Sequence, residues 1–445
     1  MAKGTIASLP FYRRAVELDP NFARAYAALA ISYSNLSEVD KSEENSRKAY
    51  DLRMRVSERE RLTIEGIYYL NATGELEKAA QSYELLQQIY PRYQMTYGNL
   101  AFIYIDLGNY EKALEQDSEA LRLEPNHVLN YSNLGAAYVN LNRLDEAETV
   151  YKRAEERKLG SEQLLANRYL LAFLKNDVAQ MNQSVSEAMG KASTEDVLLA
   201  YQADTEAWHG KLKNARELTS RAMDSAERNG SVETAATYRM EAALREVEVG
   251  NSEQARADAN AAIQLAPNRD IRATGALVLA RVGDTVRAER MAVELDNNFP
   301  LDVLVQQYWL PTIRAAVALQ RKEPDRALAV LRTASAVELS QPTYLTVVLC
   351  PVYLRGETYL MLHNGNAAAS EFQKFRDHYG LVANFPWGAL ARLGLARAYT
   401  LEAATDPAVH DEARDSYQNF LGLWKHADPD VPIYRQAKAE YAKLQ

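Results

Sequence analysis

The chain has 445 residues, 47% of them hydrophobic, which is enough apolar material for a large buried core. Its formal charge of −9 is spread along the chain without a run of Lys and Arg, which disfavours a nucleic-acid partner. The single cysteine, Cys350, excludes an intrachain disulfide framework, and no stretch approaches the ~18–20 continuous apolar residues of a membrane span.

The opening MAKGTIASLP has a lysine but no apolar segment of a signal peptide. It runs into PFYRRAVELDPN, which reads as the second helix of a repeat whose first helix is missing, so residues 1–22 are assigned to a truncated unit. A unit from Ala23 follows, with Tyr26, Leu29, Ala30, Tyr33 and Ala49, and another from Glu60 with Gly74, Ala79, Tyr83 and Pro91. The period is plainest next: Ala79, Ala113 and Ala147 stand 34 residues apart, as do Gly74, Gly108 and Asn142. In the unit from Gln94, Tyr97, Leu100, Ala101 and Tyr104 form one apolar stripe on a first helix. Gly108 is the turn, where a positive φ is cheap for Gly or Asn. Tyr110, Ala113, Asp117 and Ala120 mark a second helix, and Pro125 stops it. The small residues have a steric reason, since two helices 8–10 Å apart cannot both carry bulk where they cross.

The unit from Val128 repeats the pattern with Tyr131, Leu134, Gly135, Tyr138, Ala147, Tyr151 and Ala154. Units from Glu162, Asp196, Ala236 and Arg269 continue it, with Gly210, Gly250 and Gly283 as turns. Beyond Pro300 the pattern roughens but remains visible around Ala315 and Ala327, around Gly365, and from Trp387 to Phe420 with an insertion at 405–410. About eleven units result, closed by a capping helix in PIYRQAKAEYAKLQ. The expected layout is a truncated unit (1–22), a regular array (23–303), a more irregular array (304–428) and the cap (429–445). The proline-bearing stretches 300–311 and 340–351 are the expected places for a bend or a meeting of two sub-arrays.

This pattern resembles the tetratricopeptide repeat (TPR), a 34-residue helix–turn–helix. The resemblance implies an all-α, right-handed superhelical solenoid and a protein-binding role. RVSERERLTIEGIYY, YPRYQMTYGNLAFIY, VYLRGETYL and YQNFLGLWKHADPDVPIY look like the tetratricopeptide tails of bacterial Ser/Thr protein kinases of the acidobacterial type. Similar tails follow winged-helix regulators. The resemblance implies a sensory or docking tail rather than an enzyme, placed in the cytoplasm or, alternatively, in the extracytoplasmic part of an anchored protein.

No catalytic motif appears: HRD, DFG, VAIK, GxGxxG and GxxxxGK[ST] are all missing from the sequence. The six histidines show no paired-ligand spacing, so no metal or cofactor is expected. Cys350, within TYLTVVLCPVY, reads as a small buried apolar residue. What remains is surface. The resemblance places positions 2, 5, 9 and 12 of each first helix on a concave groove, and that spacing does share one helix face. In consecutive units these are Arg61, Ile64, Tyr68 and Asn71; Met95, Gly98, Phe102 and Ile105; Leu129, Ser132, Ala136 and Val139; and Gln163, Ala166, Leu170 and Phe173. Arg61, Ile64, Tyr68, Met95, Phe102, Ile105, Leu129 and Val139 are the expected lining of a groove for a protein or peptide. A contiguous apolar surface marks such a site, the alternative being a self-assembly face that makes the chain a homo-oligomer.

Overall fold

The computed structural model describes residues 5–192, 194–342, 347–404 and 406–444. Those residues form helices and connecting turns, with no strand among them. Helix α1 (Thr5–Leu18) leads. Eleven antiparallel hairpins follow, each a first helix and a second: α2 (Ala23–Ser34) with α3 (Val39–Asp51), α4 (Glu58–Tyr68) with α5 (Leu76–Ile89), α6 (Met95–Asp106) with α7 (Tyr110–Leu123), and α8 (Val128–Asn140) with α9 (Leu144–Glu156). Next come α10 (Glu162–Leu174) with α11 (Val178–Ala188), α12 (Glu195–Trp208) with α13 (Leu212–Arg228), α14 (Val232–Glu248) with α15 (Ser252–Leu265), and α16 (Arg269–Arg281) with α17 (Thr285–Asn298). The last are α18 (Leu310–Gln320) with α19 (Pro324–Leu331), α20 (Cys350–Met361) with α21 (Gly365–Asp377), and, after the short α22 (Tyr379–Val382), α23 (Trp387–Ala403) with α24 (His410–Leu423). Helix α25 (Pro432–Ala442) closes the array.

The alanines do what their spacing requires. Ala79, Ala113, Ala147, Ala255 and Ala288 are fully buried, each where the second helix of a hairpin meets its neighbours. Two local departures have physical causes. The spacing between the units from Asp196 and Ala236 is longer than the period, and α13 and α14 absorb it by growing to 17 residues each, so α14 starts at Val232. At Pro311 a π-turn over Val305–Trp309 leads directly into α18 and places the proline in that helix's first turn, where no backbone N–H is needed. The stretch at 340–351 is non-helical up to Leu349 where it is described, and residues 343–346 lie outside the described residues.

The solenoid winds back on itself: a first coil, α2 to α13, meets a second, α14 to α25, and the end of the second also touches its own start. Gly74 O accepts from Val303 N–H at 3.0 Å, Gly210 O from Asp428 N–H at 3.0 Å and Val249 O from Ile433 N–H at 3.2 Å. Tyr110 Oη donates to Leu339 O at 2.5 Å, and Trp424 Nε1 donates to Trp208 O at 2.9 Å. Asn142 Oδ1 accepts from Gly380 N–H at 2.8 Å. In four of these bonds the turn inside an earlier hairpin offers a carbonyl from the end of its first helix to a donor far later in the chain, whereas Tyr110 donates in the opposite direction and Asn142 accepts through its side chain. The approach is close enough to select residues. Gly210 has φ +73° and an added Cβ would stand 2.6 Å from Ala427 Cβ; at Gly380 it would stand 1.8 Å from Val139 O.

Candidate functional site

The inner face of the second coil is buried along α14 and α16. The groove positions of α16 are Asp270, Ala273, Leu277 and Ala280, and the last three are at most 1% exposed; on α14, Met240 and Leu244 are equally buried. Across this interior runs an ion network. Arg281 Nε and Nη2 donate to the two oxygens of Glu248 at 3.0 and 2.7 Å, and Arg281 also holds Glu357, with Nη2 to Oε1 at 3.0 Å. Burial raises the Glu248 carboxyl's pKa, with Arg281 opposing. Burial also works against the Arg281 cation, yet Glu248 and Glu357 keep its pKa well above normal. A second buried pair lies nearby, where Arg245 Nη1 meets Asp204 Oδ1 at 2.5 Å and Nη2 donates to Thr219 Oγ1 at 2.6 Å. Such pairs are weak stabilisers but costly to break.

The first coil differs, and its groove positions are graded along each helix. At the carboxyl ends the seam covers them. Ile105 packs against the large core that holds the second-coil helices. Phe173 lies edge-on to Trp208 at 5.4 Å, and Trp208 in turn abuts Gly388. Val139 is 7% exposed, with Gly380 against its carbonyl. At the amino-terminal ends the helices are open. Leu129 is 38% exposed, Gln163 is exposed, and nothing lies within 4 Å of the space beside Gly98. Met95 is half-buried, with Tyr93 Oη 3.8 Å from its sulfur. Arg61 is half-exposed and donates to Glu65 at 3.0 Å. Tyr68 is half-buried with its ring stacked on Tyr50 at 3.8 Å, and Phe102 is half-buried.

Two of the expected lining residues are therefore core. Ile64, 2% exposed, fills the alanine-rich pocket made by Ala23, Ala27, Ala30 and Ala49 of the preceding hairpin, because those small residues leave room for a β-branched side chain. Val139 is lost to the groove because α22 crosses the end of α8. The open strip is Arg61, Tyr68, Met95, Gly98, Phe102 and Leu129, across α4, α6 and α8, with Ile105 at its covered edge.

Sequence reasoning missed the ion network and the seam. The signal was present: Arg245, Glu246 and Glu248 set three charges in the last turns of one first helix, α14, and Gly recurs at turns that another coil approaches. Among the described residues no group of three or more His, Cys, Asp or Glu side chains forms a metal site, and no helix is long and apolar enough to cross a membrane. Cys350 is buried, and burial drives its thiol pKa far up, which disfavours the reactive thiolate.

Residues 92–159 and residues 11–44 each match a family model described as tetratricopeptide repeat. Among solved structures the chain is similar to yeast Tom70, at 14% identity over 87% of this chain and 95% of that one, with a TM-score of 0.36. It is also similar to the APC/C hetero-tetramer Cut9-Hcn1, at 14% identity over 98% and 88%, with a TM-score of 0.39. A third is pilF of Pseudomonas aeruginosa, at 22% identity over 43% and 86%, with a TM-score of 0.31. The curated proteins contain no match to this chain.

Proposed function

Taking the chain as a tetratricopeptide repeat protein, we infer that it is a non-catalytic scaffold that holds a protein or peptide segment along the amino-terminal halves of α4, α6 and α8. The observation that supports this is the contrast between coils. Positions 5 and 9 are sealed in α16, yet at the same positions Gly98 faces open space and Phe102 is only half-buried. An apolar strip with a polar border suits an extended or amphipathic segment held by a few anchors rather than by charge. In the setting implied by the sequence resemblance, this is the docking or sensory tail of a bacterial signalling protein such as a Ser/Thr kinase, on the cytoplasmic side.

The test is capture from the source lysate by wild type, by Met95→Glu with Leu129→Glu, and by the convex control Val286→Glu, whose residue is 78% exposed on α17. The reading expects one set of partners lost in the groove variant and kept in the control. If all three retain the same partners, the groove is not the docking face. If wild type captures nothing and sediments as a dimer that the groove variant breaks, the strip is a self-assembly face instead.

A further inference from the structure

Where the first coil covers the inner face of the second, it leaves a small cavity of about 30 Å³. Ser37, in the turn between α2 and α3, roofs it; α14 and α16 form its walls. That volume holds about two water-sized groups. Its rim includes half-buried Thr237 and Asp270, and its base is buried: Met240, Glu241, Ile271 and Thr274. Glu241 is 4% exposed, and its Oε1 has no hydrogen-bond partner among the described residues. Arg245 spends its hydrogen bonds on Asp204 and Thr219 and acts on Glu241 only through its charge. Burial and the adjacent Asp204 push the Glu241 carboxyl's pKa well up, with the Arg245 charge only partly opposing them.

We propose that this cavity is a binding site for the aminomethyl end, –CH2–NH3+, of a primary amine. An ammonium has three N–H donors, and three residues that carry acceptor oxygens, Thr237, Glu241 and Asp270, line the otherwise apolar space. Glu241 Oε1 is free. Asp270 gives only Oδ1 to Arg269 Nε, at 2.8 Å, which leaves its second oxygen. Thr237 spends its proton on Glu233 O at 3.0 Å, so its oxygen turns lone pairs outward. Met240 and Ile271 supply apolar contact for the methylene. The dimensions select among cations. A hydrated divalent ion wants six or more oxygens, which this volume cannot hold. A quaternary ammonium is larger and has no N–H to give. Water fits, but it brings no charge to Glu241. A free amine and the end of a lysine side chain share this chemistry. The site stands apart from the docking strip on α4, α6 and α8 and does not depend on it.

The test uses the full chain at constant ionic strength, with methylammonium, tetramethylammonium and sodium chlorides as probes, read by titration calorimetry and thermal melting. Methylammonium should bind and raise the melting temperature, and the other two should not. Glu241→Gln, which keeps the shape and removes the charge, should weaken methylammonium by at least about tenfold while melting no lower than wild type without ligand. Thr237→Val, at the half-buried rim, should weaken it less and leave the fold intact. Nα-acetyl-lysine methylamide serves as the second probe: binding by it as well identifies a lysine side chain as the source, and binding by methylammonium alone identifies a free amine. Equal response to tetramethylammonium, an unchanged affinity in Glu241→Gln, or no response to methylammonium would overturn the proposal.

Discussion

Removing Arg281 tests whether the inner face of the second coil is sealed. The guanidinium is 14% exposed and holds Glu248, 2% exposed, and Glu357, 30% exposed. Arg281→Met keeps most of the side chain's bulk and leaves Glu248 buried without its cation. Breaking a buried pair in this way costs about 3–5 kcal/mol. The cost depends on pH, because the orphaned carboxyl takes up a proton. Glu248's pKa is already raised in the folded chain, and losing Arg281 raises it further. A carboxyl with a folded pKa above its unfolded value binds more protons when folded. Its favourable contribution is complete below the ordinary Glu range and is lost as pH rises from there through the elevated folded pKa. Arg281→Met should therefore lose least near pH 4.5 and most near pH 8. Urea midpoints at the two pH values measure this, and midpoints serve better than one free energy because repeat arrays need not unfold in a single step. Adding Glu248→Met to Arg281→Met should recover most of the loss, since an apolar pair of similar volume replaces a buried ion pair at little cost. Equal, small losses at both pH values would mean that water reaches Glu248 and that the face is open.

Asp117 is fully buried, its two carboxyl oxygens have no partner among the described residues, and burial raises its pKa well above normal. Asp117→Asn should stabilise the chain by about 1–3 kcal/mol at pH 8, with the gain fading toward pH 4, as read by melting at the two pH values. Gly190 and Gly210 share a positive φ, 74° and 73°, but only Gly210 faces another coil. Gly190→Ala should cost about 1–2 kcal/mol of backbone strain, and Gly210→Ala clearly more; equal melting temperatures would mean that the seam is not packed in solution. Ala113→Leu, at a sealed helix crossing, should cost about 1–3 kcal/mol as overpacking. Gln116→Leu loses only the half-buried bond from Gln87 Nε2 and should be close to neutral. Thermal melts of both variants check the repeat register.

The repeat itself was legible because its steric demands recur. Alanine at most crossings, Gly or Asn at most turns and Pro after α5, α7, α15 and α17 made the hairpins between Ala23 and Asn298 readable. The groove was only half legible. Whether a position-5 residue faces a partner depends on what the next coil covers, and contacts between residues some two hundred positions apart leave little local signature. Ile64 and Val139 follow the same spacing as Met95 and Leu129, yet an alanine pocket swallows one and α22 covers the other. The glycines carried more than their turns required: Gly74, Gly108 and Gly210 read as ordinary loop residues, but each is also where another coil comes within van der Waals distance.

The contrast between the coils can be measured at a single repeat position. Gly98 in α6 and Ala273 in α16 both occupy position 5 of a first helix; one faces open space and the other is fully buried. With Cys350 buried, Gly98→Cys and Ala273→Cys each place one reactive thiol in the chain. Maleimide labelling under native conditions should modify Gly98→Cys within minutes and Ala273→Cys only on unfolding. Comparable rates at both positions would contradict an account in which the second coil is sealed and the first is left open to a partner.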